Sequence, residues 1–224
     1  MMLQQRSKKI LLYLFIFLMI GTINNKNLNN INLTKINKIN VSGLDEKNNL
    51  ELIRNLNFIK INNLFFLDNF KITKIISSNP LVEKYSVFKK YPSTINIKID
   101  KTKFIAQIKK DGEDYFLGSN GKFIKVLNTK QNIPLIFGNL EIKNFFELKK
   151  AIDETNFDYK KIENLFFFKS VRWDIQTYSG VLIKLPKKNL KDSLELAFQI
   201  LSNNTFEKVK ILDIRQSKQV IVNE

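Results

Sequence analysis

One apolar segment near the start of the chain restricts its fold more than any other feature. Residues 10–23 read ILLYLFIFLMIGTI. Three basic residues precede the segment, Arg6, Lys8 and Lys9, and no acidic residue occurs before Asp45. A soluble domain could bury so apolar a stretch only with difficulty, so the sequence predicts a membrane-inserted helix. Because basic flanks stay in the cytoplasm, we expect residue 24 onward to be exported.

The length of this segment leaves two outcomes open. As a helix its fourteen residues span about 21 Å, whereas the hydrocarbon core of a bilayer is about 30 Å thick. So short a segment is typical of a signal-peptide core. The exit at residues 21–24 (GTIN) lacks a small-x-small cleavage site, however, so we favour an uncleaved single-pass anchor at residues 10–23 after a cytoplasmic tail at residues 1–9. The apolar side chains of the predicted anchor are Ile10, Leu11, Leu12, Leu14, Phe15, Ile16, Phe17, Leu18, Ile20 and Ile23.

The composition excludes most catalytic chemistry. The 224 residues include no Cys and no His, which removes disulfides, thiolate nucleophiles, Cys/His metal sites and histidine general bases. No arrangement of carboxylate, lysine or serine groups indicates catalysis either. The sequence therefore predicts a binding or scaffold protein that is not an enzyme, with no catalytic residues, no cofactor and no metal site.

The net charge of +16 has more than one interpretation. An excess of this size can indicate nucleic acid or an anionic surface as a partner. However, 33 of the 37 basic residues are scattered lysines, and arginine, which reads DNA bases, is scarce. We therefore expect no nucleic-acid partner. An alternative function stays open, that of an exported, membrane-anchored basic protein that binds anionic cell-wall polymer or lipid headgroups.

The pattern changes after an Asn-rich stretch at residues 24–35, which we interpret as a linker. A strand ends at Ser42-Gly43, and two helices follow: Asp45 can cap the first, and the second begins after Asp68 and ends before Pro80. Two strands complete the order β-α-α-β-β over residues 36–103.

Residues 104–224 have a mostly strand-like pattern with hairpin turns such as Asp111-Gly112. Helices are predicted around residues 145–154 and over Leu190–Leu201. Hairpins with two helices covering one face predict an antiparallel β-rich domain, and an α+β fold for the exported part as a whole.

Several of these segments resemble the FtsQ/DivIB cell-division family in order and spacing. INVSG at residues 39–43, NPLV at 79–82 and VFKKYPSTI at 87–95 resemble its POTRA domain. RWDI at 172–175 and KILDIR at 210–215 resemble its tryptophan strand and its Asp-x-Arg ending. The resemblance covers roughly residues 36–222 and includes the single N-terminal anchor. One departure is Gln216, where the family often has an aromatic residue.

This resemblance implies a bitopic protein of the bacterial inner membrane, with its N-terminus in the cytoplasm and its bulk in the periplasm at the division septum. The implied role is a non-enzymatic scaffold of the divisome that links early and late division proteins. The implied partners are two small membrane coiled-coil proteins, FtsB-like and FtsL-like. In the family the POTRA domain serves recruitment, and the end of the second domain holds the FtsB-like partner.

The last strand is the candidate site for that partner. Its β-branched residues lie close to the chain end, so we expect no later element to cover their outer edge. The unpaired N–H and C=O groups of such an edge can accept a strand from another chain. Alternatively, these residues only complete the sheet. The candidate partner-binding residues are Arg172, Arg215, Gln216, Lys218, Gln219, Val220, Ile221 and Val222.

A charge at Val87 tests the predicted register of the POTRA sheet. We expect Val87→Asp to unfold this sheet, because the alternation points Val87 toward the core, where an unpaired carboxylate costs at least about 2 kcal/mol. Thermal unfolding followed by circular dichroism measures the effect. An unchanged melting profile would show that the register is wrong.

Overall fold

The computed structural model describes residues 2–23, 34–125, 131–203, 209–216 and 219–223. The helices are α1 Met2–Ile23, α2 Glu46–Asn55, α3 Asn69–Ser78, α4 Ile142–Asp153 and α5 Leu190–Leu201, with 3-10 helices at Asn57–Ile61 and Tyr159–Lys161. The strands are β1 Lys38–Ser42, β2 Val82–Lys90, β3 Thr94–Lys101, β4 Phe104–Lys110, β5 Glu113–Gly118, β6 Phe123–Lys125, β7 Leu135–Phe137, β8 Ile162–Phe168, β9 Arg172–Thr177, β10 Leu182–Lys184, β11 Ile211–Gln216 and β12 Gln219–Asn223.

The first sheet has three strands in the order β1-β3-β2. β1 pairs parallel with β3, and β3 pairs antiparallel with β2. α2 and α3 bury their apolar faces against this sheet, with Leu52 and Ile76 packed in the same cluster as Ile97. Val87 lies half-buried against that cluster. The predicted β-α-α-β-β order is therefore confirmed.

Both helices of this unit begin where the sequence predicts. The Asp45 side chain accepts a hydrogen bond from the backbone N–H of Asn48 at 3.4 Å. The Asp68 carboxylate accepts one from the N–H of Phe70 at 2.9 Å. Each carboxylate thus satisfies an N–H group that the first helical turn leaves unpaired.

The second sheet has nine strands in the order β12-β11-β10-β9-β8-β7-β4-β5-β6. α4 and α5 cover one of its faces. Phe145 of α4 and Leu194 of α5 are fully buried in one apolar cluster with Trp173, Ile183 and Leu212 of the sheet. The helix over Leu190–Leu201 has the predicted bounds.

This sheet is mixed, which corrects the prediction of an antiparallel domain. The pairs β4–β7, β7–β8 and β10–β11 are parallel. α4 connects β7 to β8 and α5 connects β10 to β11, and a helical crossover returns the chain to the same end of the sheet. The strand β7 was not predicted, because its three residues are too few to show an alternation.

The predicted anchor at residues 10–23 is the C-terminal part of α1, which begins at Met2 within the predicted tail. The side chains of residues 10–20 in this helix are exposed, and that of Ile23 lies outside the described residues. Within the described part of the chain, no helix combines the length and the apolar character needed to cross a bilayer. The anchor at residues 10–23 therefore stays a prediction.

A polar cluster joins the two sheets where the chain passes between them. Thr102, between β3 and β4, is 4% exposed. Its hydroxyl and that of Ser119 both donate to Glu83 Oε2 of β2, at 2.9 and 2.8 Å. The Asn120 amide donates to two backbone carbonyls at the start of β2, both at 2.9 Å. Because Ser119 and Asn120 follow β5, these bonds connect the second sheet directly to the first.

Removing the Asn120 amide tests how strongly this cluster couples the sheets. We expect Asn120→Ala to lower the free energy of unfolding by about 1–3 kcal/mol, because two carbonyls lose their donor. Urea unfolding measures the change. Asn69→Ala, at an exposed position, is the matched control and should change the midpoint little. Equal midpoints for the two variants would contradict a structural role of the cluster.

Candidate functional site

The last strand lies at the margin of the nine-stranded sheet. β12 pairs antiparallel with β11, with Val222 opposite Leu212 and Ile221 opposite Asp213. Within the described residues β11 is its one strand partner. The outer row of N–H and C=O groups on β12 therefore faces away from the sheet and has the form that strand addition requires.

Side chains of β12 alternate between the two faces of the sheet. Val220 and Val222 pack against the apolar cluster beneath α5. Ile221 points to the opposite face and is 50% exposed, and Gln219 is also exposed. The strand is thus fixed by two valines and leaves one large apolar side chain in solvent.

A row of charges crosses the helix-free face and ends at this strand. Asp174 of β9 is paired in register with Lys184 of β10, and Lys184 with Asp213 of β11. Asp213 in turn is paired with Ile221 of β12. Because directly opposed side chains in a sheet are neighbours, the charges alternate −, +, − toward the edge.

Each aspartate also binds an arginine two residues away on its own strand. Arg215 Nε lies 2.8 and 2.9 Å from the two carboxylate oxygens of Asp213. Arg172 Nε lies 3.3 Å from Asp174 Oδ1, and its guanidinium carbon lies 4.5 Å from the centre of the Phe168 ring. Residues i and i+2 of a strand share a face, which explains both pairs.

The two aspartates have opposite pKa shifts. Hydrogen bonds from the Arg215 side chain lower the pKa of Asp213. Burial raises the pKa of Asp174, against the opposing effects of Arg172 and Lys184. As the pH falls, Asp213, next to the edge strand, therefore keeps its negative charge longer than Asp174, which lies further inside the sheet.

Two depressions flank the edge. One, of about 560 Å³, lies between the start of α5 and the last two strands. The other, of about 290 Å³, lies on the helix-free face. Arg215, Gln216 and Gln219 line both, while Val220 lines the first and Ile221 the second. An added strand would project alternate side chains toward these two depressions.

The structure brings most of the predicted partner-binding residues together, but not all of them. Arg215, Gln216, Gln219, Val220 and Ile221 surround the edge, and Val222 packs inward.

Two other predicted residues do not join this group. Arg172 lies on β9, three strands inward, so it belongs to the charged face and not to the edge. Lys218 lies outside the described residues. Asp213 on β11 and Lys184 on β10 lie beside this group but were not among the predicted residues. The repeated pairing of an arginine and an aspartate two residues apart was the available signal.

Within the described ranges, no three acidic side chains come together in a way that could hold a metal ion. The site consists of the outer main-chain edge of β12, the exposed side chain of Ile221 and the ion pair of Arg215 with Asp213. These groups are suited to binding another polypeptide chain.

The fold places the protein in the class that combines a POTRA domain with a second, β-rich domain. Residues 34–101 match the family model "POTRA domain, FtsQ-type", and residues 106–215 match "Cell division protein FtsQ/DivIB, C-terminal". The chain belongs to the FtsQ/DivIB family of cell division proteins.

The chain is similar to two DivIB proteins, one compared by sequence and one by structure. The cell division protein DivIB of Bacillus subtilis (strain 168) is 26% identical over 154 residues, which are 66% of this chain and 59% of that protein. The match thus spans less than two thirds of the relative. The solved major extracytoplasmic domain of the trans isomer of DivIB from Geobacillus stearothermophilus is 13% identical, with a TM-score of 0.36 over 46% of this chain and 93% of that one.

The opposite pKa shifts give opposite dependences of stability on pH. The lowered pKa of Asp213 means that its charge stabilises the fold. At neutral pH we expect Asp213→Asn to be less stable than the wild type, by up to about 1 kcal/mol. This difference should disappear as the pH falls from the ordinary value of 3.8 through the folded pKa.

Asp174→Asn is the matched control, with the opposite slope. Because its folded pKa is raised, the wild type should lose stability relative to this variant as the pH rises from 3.8 through the folded pKa. Urea unfolding across the acidic range measures both slopes. Slopes of the same sign would contradict the assigned environments.

Proposed function

We propose that the chain is a non-enzymatic scaffold of the division machinery that holds a partner by strand addition at β12. Membership of a cell division family supports the role in division. The observation that carries the binding mode is the marginal position of β12, with a depression on each side of it. The partners that we propose are the FtsB-like and FtsL-like coiled-coil pair, with other divisome proteins.

Backbone pairing alone would give a weak complex. β12 has five residues, of which about two or three direct both N–H and C=O outward, so its outer edge can form about four to six hydrogen bonds, each worth about 1 kcal/mol net. Side chains must supply the rest. Ile221 provides apolar surface on one face of the sheet, and the depression beside α5 can receive side chains on the other face.

Membrane attachment would raise the effective concentration of such partners. We propose that α1 inserts into the inner membrane as a single-pass anchor with residues 1–9 in the cytoplasm. The exposed apolar side chains of residues 10–20 and the basic residues before them support this proposal.

We propose the remaining divisions as a linker at residues 24–35, whose last two residues contact the first sheet, the POTRA domain at 36–103 and the β-rich domain at 104–224, both in the periplasm at the septum.

The net charge of +16 supports the second candidate function, binding of anionic cell-wall polymer or lipid headgroups. Ionic strength separates the two. Polymer binding should weaken steeply with salt because exposed charges are screened, whereas backbone pairing should change little.

Deleting residues 218–224 tests the proposed binding mode. We expect the variant to remain folded but to lose co-purification with the FtsB-like partner, and to fail to restore septa in cells depleted of the protein. Ile221→Asp keeps the strand and should weaken the interaction by at least about tenfold, because an apolar contact is replaced by a charge.

Leu50→Asp, at an exposed position on α2 of the first sheet, is the matched control and should bind normally. Full retention of the partner by the deletion variant would overturn strand addition at β12. Normal septa in depleted cells would overturn the role in division.

A further inference from the structure

An exposed apolar surface covers one end of the first sheet, which we call the tip. The tip consists of residues 34–37, 60–66 and 89–93. Ile36 N donates to Asn62 O at 3.0 Å, Thr34 Oγ1 to Pro92 O at 3.2 Å, and Lys89 Nζ to the carbonyl of Leu64 at 2.8 Å. These bonds hold the three segments together as one surface.

Large apolar side chains of the tip point into solvent. The exposed fractions are 74% for Ile61, 60% for Phe65, 76% for Phe66 and 55% for Tyr91. The rings of Phe65 and Tyr91 lie 5.1 Å apart. Phe70, in the first turn of the adjoining α3, is 75% exposed. Adjacent exposed aromatic side chains indicate an interaction surface rather than scattered surface residues.

The tip holds these side chains outward by its backbone. Asn63 Oδ1 accepts hydrogen bonds from the N–H groups of Phe65 and Phe66, at 3.1 and 3.0 Å. Leu64, between Asn63 and the two phenylalanines, is fully buried in the core of the first sheet. The loop is therefore fixed from both sides, and the two phenylalanines do not have to rearrange before they meet a partner.

The charges around the tip have one sign. Lys35, Lys60 and Lys90 are exposed at its margin. The three segments of the tip contain no acidic residue. Asp68, just beyond them, caps α3. An aromatic surface with lysines at its margin complements the boundary between the acyl chains and the phosphates of an anionic bilayer.

The tip is also where the chain enters the fold from α1. Ten residues, 24–33, lie between Ile23 and Thr34. A chain of ten residues spans at most about 35 Å. If α1 is in the membrane, the aromatic surface is thus the part of the fold tethered nearest to the bilayer.

We propose that the tip docks on the outer surface of the membrane, with Ile61, Phe65 and Phe66 among the lipid headgroups and the marginal lysines on anionic phosphates. This inference rests on the proposed insertion of α1. The apolar contact of the tip is weak by itself, but it is strengthened when the same chain is already held in that bilayer by α1. Because the polar cluster at Glu83 couples the sheets, docking would also set the orientation of the β12 edge relative to the membrane.

The absence of cysteine makes a direct test simple, since one introduced cysteine gives one label. The full chain is reconstituted in vesicles of phosphatidylethanolamine and phosphatidylglycerol, with a nitroxide at Phe66→Cys. The apolar label preserves the character of the site. We expect low accessibility to a water-soluble nickel chelate and high accessibility to oxygen. The control is Ser78→Cys, at the far end of α3, about 12 Å from Phe70 along the helix, which should stay accessible to the chelate.

The lysines provide a second measurement. Lys60→Gln and Lys90→Gln should each lower the ratio of docked to undocked label about fivefold in anionic vesicles, and have little effect in phosphatidylcholine vesicles. A label at Phe15→Cys reports the insertion of α1 separately. If residue 15 is shielded from the chelate but residue 66 is as accessible as residue 78, the docking proposal is overturned while the anchor stands. If residue 15 is accessible, the anchor itself is overturned.

Discussion

The alternation of side chains along the last strands is the constraint on which the rest of the structure depends. Successive residues of a strand point to opposite faces, so burying Trp173, Ile183 and Leu212 under the helices forces their neighbours onto the open face. On that face lie Asp174, Lys184 and Asp213, in register across the strands, and each aspartate binds an arginine of its own strand. The same rule places Val222 in the core and Ile221 in solvent. The alternation of side chains therefore produces both the core on one face of the sheet and the binding surface on the other.

The two ends of the fold have different chemistry and suit different partners. The β12 edge offers main-chain groups and charges that are already paired, as the bonds between Arg215 and Asp213 show. The tip instead offers aromatic rings and exposed lysines. The first arrangement suits a polypeptide strand, and the second suits a lipid surface. The hydrogen bonds to Glu83 connect the two ends through a single polar cluster.

Much of the first sheet was predictable because its signals are local. Asp45 and Asp68 cap helices through bonds to residues two or three positions away, and alternation at Ile95, Ile97 and Ile99 marks a strand buried on one face. The candidate site was less predictable. Residues near the chain end could be identified as a strand, but the position of Lys184 opposite Asp213 depends on a parallel pairing across the α5 crossover, which periodicity does not encode.

The sequence by itself determined the absence of cysteine and histidine chemistry, the starts of α2, α3 and α5, the hairpin turn at Asp111-Gly112 and the apolar segment at residues 10–23, because each depends on residue type or on spacing within a few positions. Only the tertiary structure decided that the second sheet is mixed, that β12 lies at its margin and that Arg172 is three strands away from it. It also decided that Phe65 meets Tyr91 at the tip. Strand order and register join residues distant in the chain, and no local pattern specifies them.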